Sequence, residues 1–427
     1  MAAVVCAASP SFGRSLEKEL AGLLLDHPQI NASQKAVETS RAQIKQALAE
    51  FLPRVGMSSS IGPEITDGPS QRNRGLDRGA IAQTGISTSV TVTQGLFSGY
   101  STASLVRTAR LNKWLSLMTL DGTRQGVLLE GINSYINVLR QKRLIELARL
   151  NETNIQNQLN LEDERVQRGS GIAVDILQAK SRLQLAKERR INFEGGLKDA
   201  VSTYIQVFDH PPGLSEMLDP IPPVGILPTS VEEALETALK NNPALGSASA
   251  TSEVARERRR SVMAQYFPTV DLVTTWTYEK NKAAVIGTSR EYSMLLQVNW
   301  DLFTGLSTRE TLAQVAFDYG ASKDNHRFIA RRVIEQTKLS WQGLLTVSNR
   351  LELLENAVNI AAAVFESRRK LREAGKETVI NVLDAESEIF NAQTSYTSAS
   401  YDRRLSVYQI LLALGQLTTE HLKLNVE

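Results

Sequence analysis

The sequence predicts a mostly α-helical protein with a membrane β-barrel portion, built from a duplicated unit of long coiled-coil helices plus a β-hairpin. The first observation behind this is an internal repeat, the feature to look for before any local one. "DHPQINASQKAVETSRAQIKQALAEFLPRV" (26–55) aligns without a gap to "NNPALGSASATSEVARERRRSVMAQYFPTV" (241–270), setting Pro28 opposite Pro243 and Pro53 opposite Pro268. "GLFSGYST" (95–102) answers "DLFTGLST" (301–308), Gly169 answers Gly375, and "DILQA" (175–179) answers "NVLDA" (381–385). The second is the spacing of prolines, which break helix interiors and central strands. None falls between Pro69 and Pro211 or after Pro268, so two very long helical regions are permitted. The third is a change of hydrophobic period, from helical to two, at matching places in both copies.

Taken in order, residues 1–15 read as the remnant of a secretory signal, "MAAVVCAASPSFG" being a short apolar start followed by small residues. Its Cys6 is the chain's single cysteine, which excludes an internal disulfide and a multi-cysteine metal site. A lipidated Cys6 is the alternative, disfavoured by the bulky Val5 before it. The first repeat spans 16–215: a helix, a β-hairpin at about 53–97, a long helix 98–168, a tip turn 169–175 and a helix to 208. The proline-rich stretch 209–230 connects it to the second repeat, 231–418, with its hairpin at about 268–303, long helix 304–373, tip turn 374–381 and helix to 415. A tail, 419–427, follows.

Within the helical regions the pattern is that of a coiled coil. Val347, Leu351, Leu354, Val358, Ala361 and Phe365 step by 4, 3, 4, 3, 4, the a/d rhythm. In the hairpins the apolar residues alternate instead. Tyr292, Met294, Leu296, Val298, Trp300 and Leu302 share one face, opposite Glu291, Ser293, Gln297, Asn299 and Asp301. Val270, Leu272, Trp276 and Tyr278 oppose Asp271, Thr275 and Thr277; Ile86, Val90, Val92 and Leu96 oppose Ser87, Ser89, Thr91 and Thr93. "PRVGMSSSI" (53–61) is a weaker fourth strand.

No run of about 18 apolar residues exists, so a membrane-spanning form has to be a closed barrel. A soluble sandwich would give the same alternation; Trp276, Tyr278, Tyr292 and Trp300, on apolar faces toward strand ends, argue for an interfacial girdle instead. Four strands do not close a barrel, so the chain must borrow strands from copies of itself. The net charge of +2 gives no electrostatic case for nucleic acid. His27, His210, His326 and His421 lie far apart, no nucleophile motif is present, and the reading is of a protein without catalytic residues, metal or cofactor. "GSGIAV" (169–174) falls short of a dinucleotide loop, having no strand before it and no third glycine.

Two copies of helix, "FLPRV" or "YFPTV", hairpin, "GLFSG" or "DLFTG", and helical hairpin with "RGSGIAVDILQA" or "EAGKETVINVLDA" resemble the TolC-type outer membrane channel family over residues 16–418. In "DHPQI", "FLPRV" and "RGSGIAVDILQAKSRL" the chain is most similar to the branch serving type I protein secretion. The resemblance implies a homotrimer with a twelve-stranded outer membrane barrel continuous with an α-helical barrel in the periplasm. It implies a passive channel whose partners are a periplasmic adaptor and an inner-membrane ABC transporter, or an efflux pump on the alternative reading. A soluble periplasmic coiled-coil adaptor or scaffold is the remote alternative; an adaptor would carry one helical hairpin and not two.

The same resemblance makes the two turns the far tips of the helical barrel, where the pore constricts and the adaptor docks. Gly169, Ser170, Gly171, Gly375 and Lys376 are then docking residues, although glycine also ends helices on purely conformational grounds. Asp175 and Asp384 either favour a helix start or form threefold anionic rings that attract cations. Asn381 and Glu377 complete the constriction and depart from the family pattern, which often has an acid and a base there; any lock has to use other groups, such as Arg168 or Arg372.

Overall fold

The computed structural model describes residues 15–66, 81–169, 172–283 and 285–424. Except for Ser15, the expected leader lies outside these, as do Cys6, residues 67–80 within the span expected for the first hairpin, and the tip residues Ser170 and Gly171. The elements run α1 (Leu16–Asp26), α2 (Pro28–Ala49), β1 (Arg54–Thr66), β2 (Ile81–Phe97), α3 (Ser101–Gln167) and α4 (Ala173–Phe208). The second half repeats them as α5 (Val231–Asn241), α6 (Pro243–Met263), β3 (Thr269–Lys282), β4 (Val285–Asn299), α7 (Ser307–Glu373) and α8 (Val379–Ala413). Pro28 and Pro243 each open a helix, where the absent N–H leaves no hydrogen bond unmade. Each of α3 and α7 has 67 residues, about 100 Å at 1.5 Å per residue. Among the described residues no helix is long and apolar enough to cross a membrane.

The chain divides into two compact units. One comprises 1–34, 118–246 and 328–427. Its helices pack around Ile155 and Leu159 of α3, Ile176, Ala179 and Leu183 of α4, and Val379 and Leu383 of α8. A second cluster joins Ala234 and Ala238 of α5 to Val333 of α7 and Ile410 of α8. The connector is pinned to this unit: the Tyr135 hydroxyl donates to Leu218 O (3.0 Å) and accepts from Leu218 N (3.1 Å), while Asp219 takes Tyr401 (3.0 Å) and Arg404 (2.6 Å).

The other unit comprises 35–117 and 247–327 and holds one antiparallel sheet in the order β1-β2-β3-β4. Its register sorts the side chains by face. Met57↔Val90↔Trp276↔Tyr292 runs across one side, with Val55↔Val92, Leu272↔Leu296 and Val270↔Val298. The other side carries Ser58↔Ser89↔Thr277↔Glu291 and Gly56↔Thr91↔Thr275↔Ser293. The apolar side is bare: Met57 is 72% exposed, Val298 58% and Leu296 63%, far beyond what one isolated apolar side chain amounts to.

Two expectations need correction. Trp276 and Tyr292 are not near strand ends but face each other in mid-sheet, because the register pairs position eight of each strand. Trp300 does lie at an end, just past β4, its indole donating to Tyr266 O (3.2 Å), and Tyr278 stands opposite Arg290. Measured along β4, Arg290 to Trp300 spans the 9–11 residues that cross a bilayer. Both tip turns are also shorter than expected, since α4 starts at Ala173 with Asp175 within it, and α8 starts at Val379 with Asn381 within it.

Sheet and helix meet at a duplicated joint. Gly99 (φ 61°) precedes Tyr100 (φ 71°), and Gly305 (φ 61°) precedes Leu306 (φ 67°), so each helix is launched by two left-handed residues. A Cβ on Gly99 would lie 2.5 Å from Ala264 O, whereas Gly305 has nothing within 4 Å. Gly305→Ala should therefore cost only the conformational penalty, about 1–2 kcal/mol, and Gly99→Ala clearly more. Thermal unfolding of the two variants side by side checks this, with the lower midpoint expected for Gly99→Ala.

Candidate functional site

The candidate site is the pair of helix turns, both in the first unit. Glycine in the left-handed region ends each long helix. At the second turn Gly375 (φ 72°) donates to Arg372 O (3.0 Å) and Lys376 to Leu371 O (2.9 Å), the doubled closure of a helix C-terminus. At the first, Gly169 (φ 75°) donates to Val166 O (2.9 Å), and Asp175 lies in the opening turn of α4. Gly169, Gly375 and Lys376 are exposed.

The two turns are joined through Arg372, at the end of α7. Its guanidinium grips the fully buried carboxylate of Glu162 on α3 through Nη2 (2.6 Å) and Nε (3.2 Å), a bidentate charge-assisted pair. Arg165 adds a third contact to Glu162 (2.8 Å). Arg372 Nη1 donates to Glu377 O (3.0 Å), and its Nη2 stands 3.8 Å from Asp175 Oδ2. One cation thus reaches the ends of α3 and α7, the start of α4 and the second turn. Arg168, the other lock residue considered, pairs instead with Glu164 on its own helix (3.2 Å).

The remaining sequence-derived residues are partnered too. Asp384 on α8 takes Arg182 of α4 at 2.6 Å. Asn381 donates to Glu377 Oε1 (2.5 Å), and Thr378 N donates to the same oxygen (3.1 Å). The Asn381 bond, then that of Thr378, holds the Glu377 carboxyl below the usual range. The two departures from the family pattern therefore complement each other: an acid at 381 would repel the acid at 377. Trp276, Tyr278, Tyr292 and Trp300 belong to the sheet described above and take no part in the turns.

Sequence reasoning missed two acids. Glu162 sits in an ordinary-looking charged run, "LEDER", and nothing local marks it as buried. Glu386, in the first turns of α8, is 4% exposed and accepts only from Asn154 (2.9 Å) and Asn151 (3.3 Å) of α3. Among the described residues no cation pairs with it, and burial pushes its carboxyl up despite the two amides. No group of His, Cys, Asp or Glu among the described residues has metal-ligand geometry.

A family model described as outer membrane efflux protein matches residues 20–206 and 234–416. The chain is 22% identical over 419 residues to outer membrane efflux protein BepC of Brucella suis, covering 96% of this chain and 88% of that one. It is 22% identical over 410 residues to alkaline protease secretion protein AprF of Pseudomonas aeruginosa, covering 94% and 84%. Its fold superposes on the crystal structure of CusC with a TM-score of 0.83 at 14% identity, covering 94% of this chain and 92% of that one.

Glu386 gives a pH dependence with a definite sign. Its native pKa lies above that of the unfolded chain, so the packing disfavours the ionised form. Stability is greatest below the ordinary carboxylate value, about 4.3, falls as pH rises to the raised native value, and then levels. Glu386→Gln should flatten this fall and unfold no earlier than the parent at neutral pH, in thermal melts of the detergent-solubilised protein across a pH series.

Proposed function

Because the chain belongs to the outer membrane efflux protein family, the TolC-type channels, we propose that it is the passive exit duct of a type I protein-secretion system. Channels of this family are not enzymes. They lie in the outer membrane with long periplasmic helices, form trimers, and work with periplasmic adaptors and inner-membrane transporters. The observation that carries the duct for this chain is the two-faced sheet: bare apolar residues on one side, serine and threonine hydroxyls on the other, and both edges unpaired. Three copies complete a barrel of twelve strands, with the hydroxyls lining water and the apolar side against lipid. Similarity to AprF, named for protease secretion, along 94% of the chain supports a polypeptide cargo. The equal identity to BepC, named for efflux, favours the second reading, export of small molecules.

At the periplasmic end the turns form the constriction and the adaptor dock. Gly169, Gly375 and Lys376 offer the exposed surface, with Ser170 and Gly171 beside them in sequence. Asp175, Glu377, Asn381 and Asp384 surround the narrow mouth, and the Glu162–Arg372 pair keeps the two tips of one protomer together. Three copies of Asp384 make the mouth prefer cations, moderated by Arg182 at 2.6 Å.

Deleting the gene in its host should remove a secreted polypeptide from the medium while leaving accumulation of small dyes unchanged; an intact set of secreted proteins with raised dye accumulation would favour efflux. In planar bilayers, Asp384→Ala should weaken cation preference and Arg182→Gln strengthen it. Selectivity indifferent to both changes would remove Asp384 from the pore.

A further inference from the structure

We propose that the first unit carries a binding site for an apolar amine, in a cavity of about 560 Å³ where α1, α3 and the end of α8 come together. The ammonium group is held by Asp121 and Gln125 Oε1, and the hydrocarbon lies against Leu24, Leu128 and Leu417. The cavity falls within the size range of small-molecule sites. It lies wholly within that unit, and rests neither on the sheet nor on the barrel reading.

The site begins as a break in an apolar stripe. Met118, Asp121, Gln125 and Leu128 step by 3, 4 and 3 along one face of α3 and all line the cavity, so two polar side chains stand where that rhythm would place apolar ones. Gln125 is only 5% exposed. Its Nε2 donates to Gly415 O at 3.2 Å, which fixes the orientation of the amide, since the flipped form would set two oxygens together. The other half of the amide is left over: Oε1 is buried with no donor among the described residues. A buried acceptor in that condition costs about 1–3 kcal/mol, and a donor carried by a ligand recovers it.

The charge of the occupant follows from the neighbours. One turn before Gln125, Asp121 is half-buried, and burial holds its carboxyl above the usual range against the pull of Arg124. That pair is loose: the groups are 3.9 Å apart, both side chains are nearly half exposed, and such a pair contributes little. A cation bearing N–H groups therefore gains two acceptors, one of them charged. An anion on Arg124 would instead face the Asp121 carboxylate and the Gln125 oxygen. Leu24, Leu128 and Leu417, all buried, supply the apolar wall. The second repeat does not reproduce the arrangement: aligned on the helix starts Ser101 and Ser307, Arg327 and Arg331 stand where the first has Asp121 and Gln125.

Isothermal titration of the detergent-solubilised full chain with 4-phenylbutylamine tests the site, with 4-phenylbutanol as the uncharged comparison. Saturable binding of the amine is expected, about tenfold weaker in Asp121→Asn and in Gln125→Leu, the effect of losing one hydrogen bond to a charged group. The alcohol should bind the parent about tenfold more weakly than the amine, for the same reason. Gln125→Leu restores the apolar stripe and Asp121 is half-exposed, so both variants should fold. Each ligand partitions into detergent equally whichever chain is present, and the difference between chains reports the cavity. Amine binding that is absent, or indifferent to both substitutions, would overturn the proposal, as would equal affinity for the alcohol. So would failure to bind the amine in a Cys6→Ser, Thr419→Cys chain that a bifunctional maleimide links to a second copy, since a neighbouring protomer would then fill the cavity. Each of these failures leaves the exit duct standing.

Discussion

The structure depends on one unmet requirement: a four-stranded sheet with an exposed apolar side and two open edges. In hydrocarbon an unpaired backbone N–H or C=O costs several kcal/mol, and β1 and β4 each present a row of them. The sheet order places these edges at opposite sides, so a copy of the chain can pair β4 with β1 and leave the same problem one protomer further on. Only a ring ends it. The apolar side, turned outward by closure, meets lipid, and the hydroxyl side encloses water. Each strand pair leads through a left-handed glycine joint into a 67-residue helix.

The duplication supplies the architecture, and small departures from symmetry supply the chemistry. Gly99 and Gly305 share a φ of 61°, but only Gly99 is pressed against a neighbouring carbonyl. Both tips end in a left-handed glycine, yet only the second contributes the arginine, Arg372, that binds them together. The acids at the tips are accordingly not free charges awaiting a partner. Each is balanced within its own protomer: Asp384 by Arg182, Glu162 and Asp175 by Arg372, Glu377 by the amide of Asn381. On the proposed reading of these turns as the constriction, the pore is tuned by the distance between a carboxylate and its own guanidinium, and a substitution of the base acts as strongly as one of the acid.

How much of this was legible in the sequence follows from range. Strand alternation, glycine stops and proline joints are local, and Gly169, Gly375, Pro28 and Pro243 announce themselves. The burial of Glu162 does not, because its partner is 210 residues away; Asp384 and Arg182 are 202 apart. The expected placement of Trp276 and Tyr292 toward strand ends failed for the same reason. Alternation tells which face Trp276 and Tyr292 occupy, but their depth is set by the pairing of β3 with β4, which the pattern of either strand alone does not contain. Asn381 and Glu377 stood out in sequence as separate departures, and only the helix start at Val379 makes them one hydrogen-bonded pair.

Closure of the sheet by copies of itself is the claim on which the others stand, and the mass of the intact complex decides it. Native mass spectrometry of the protein extracted from outer membranes in mild detergent should give three chains, with no stable monomer. A monomeric species that keeps its β-structure in the membrane would mean that the edges are satisfied in some other way, and would contradict the account.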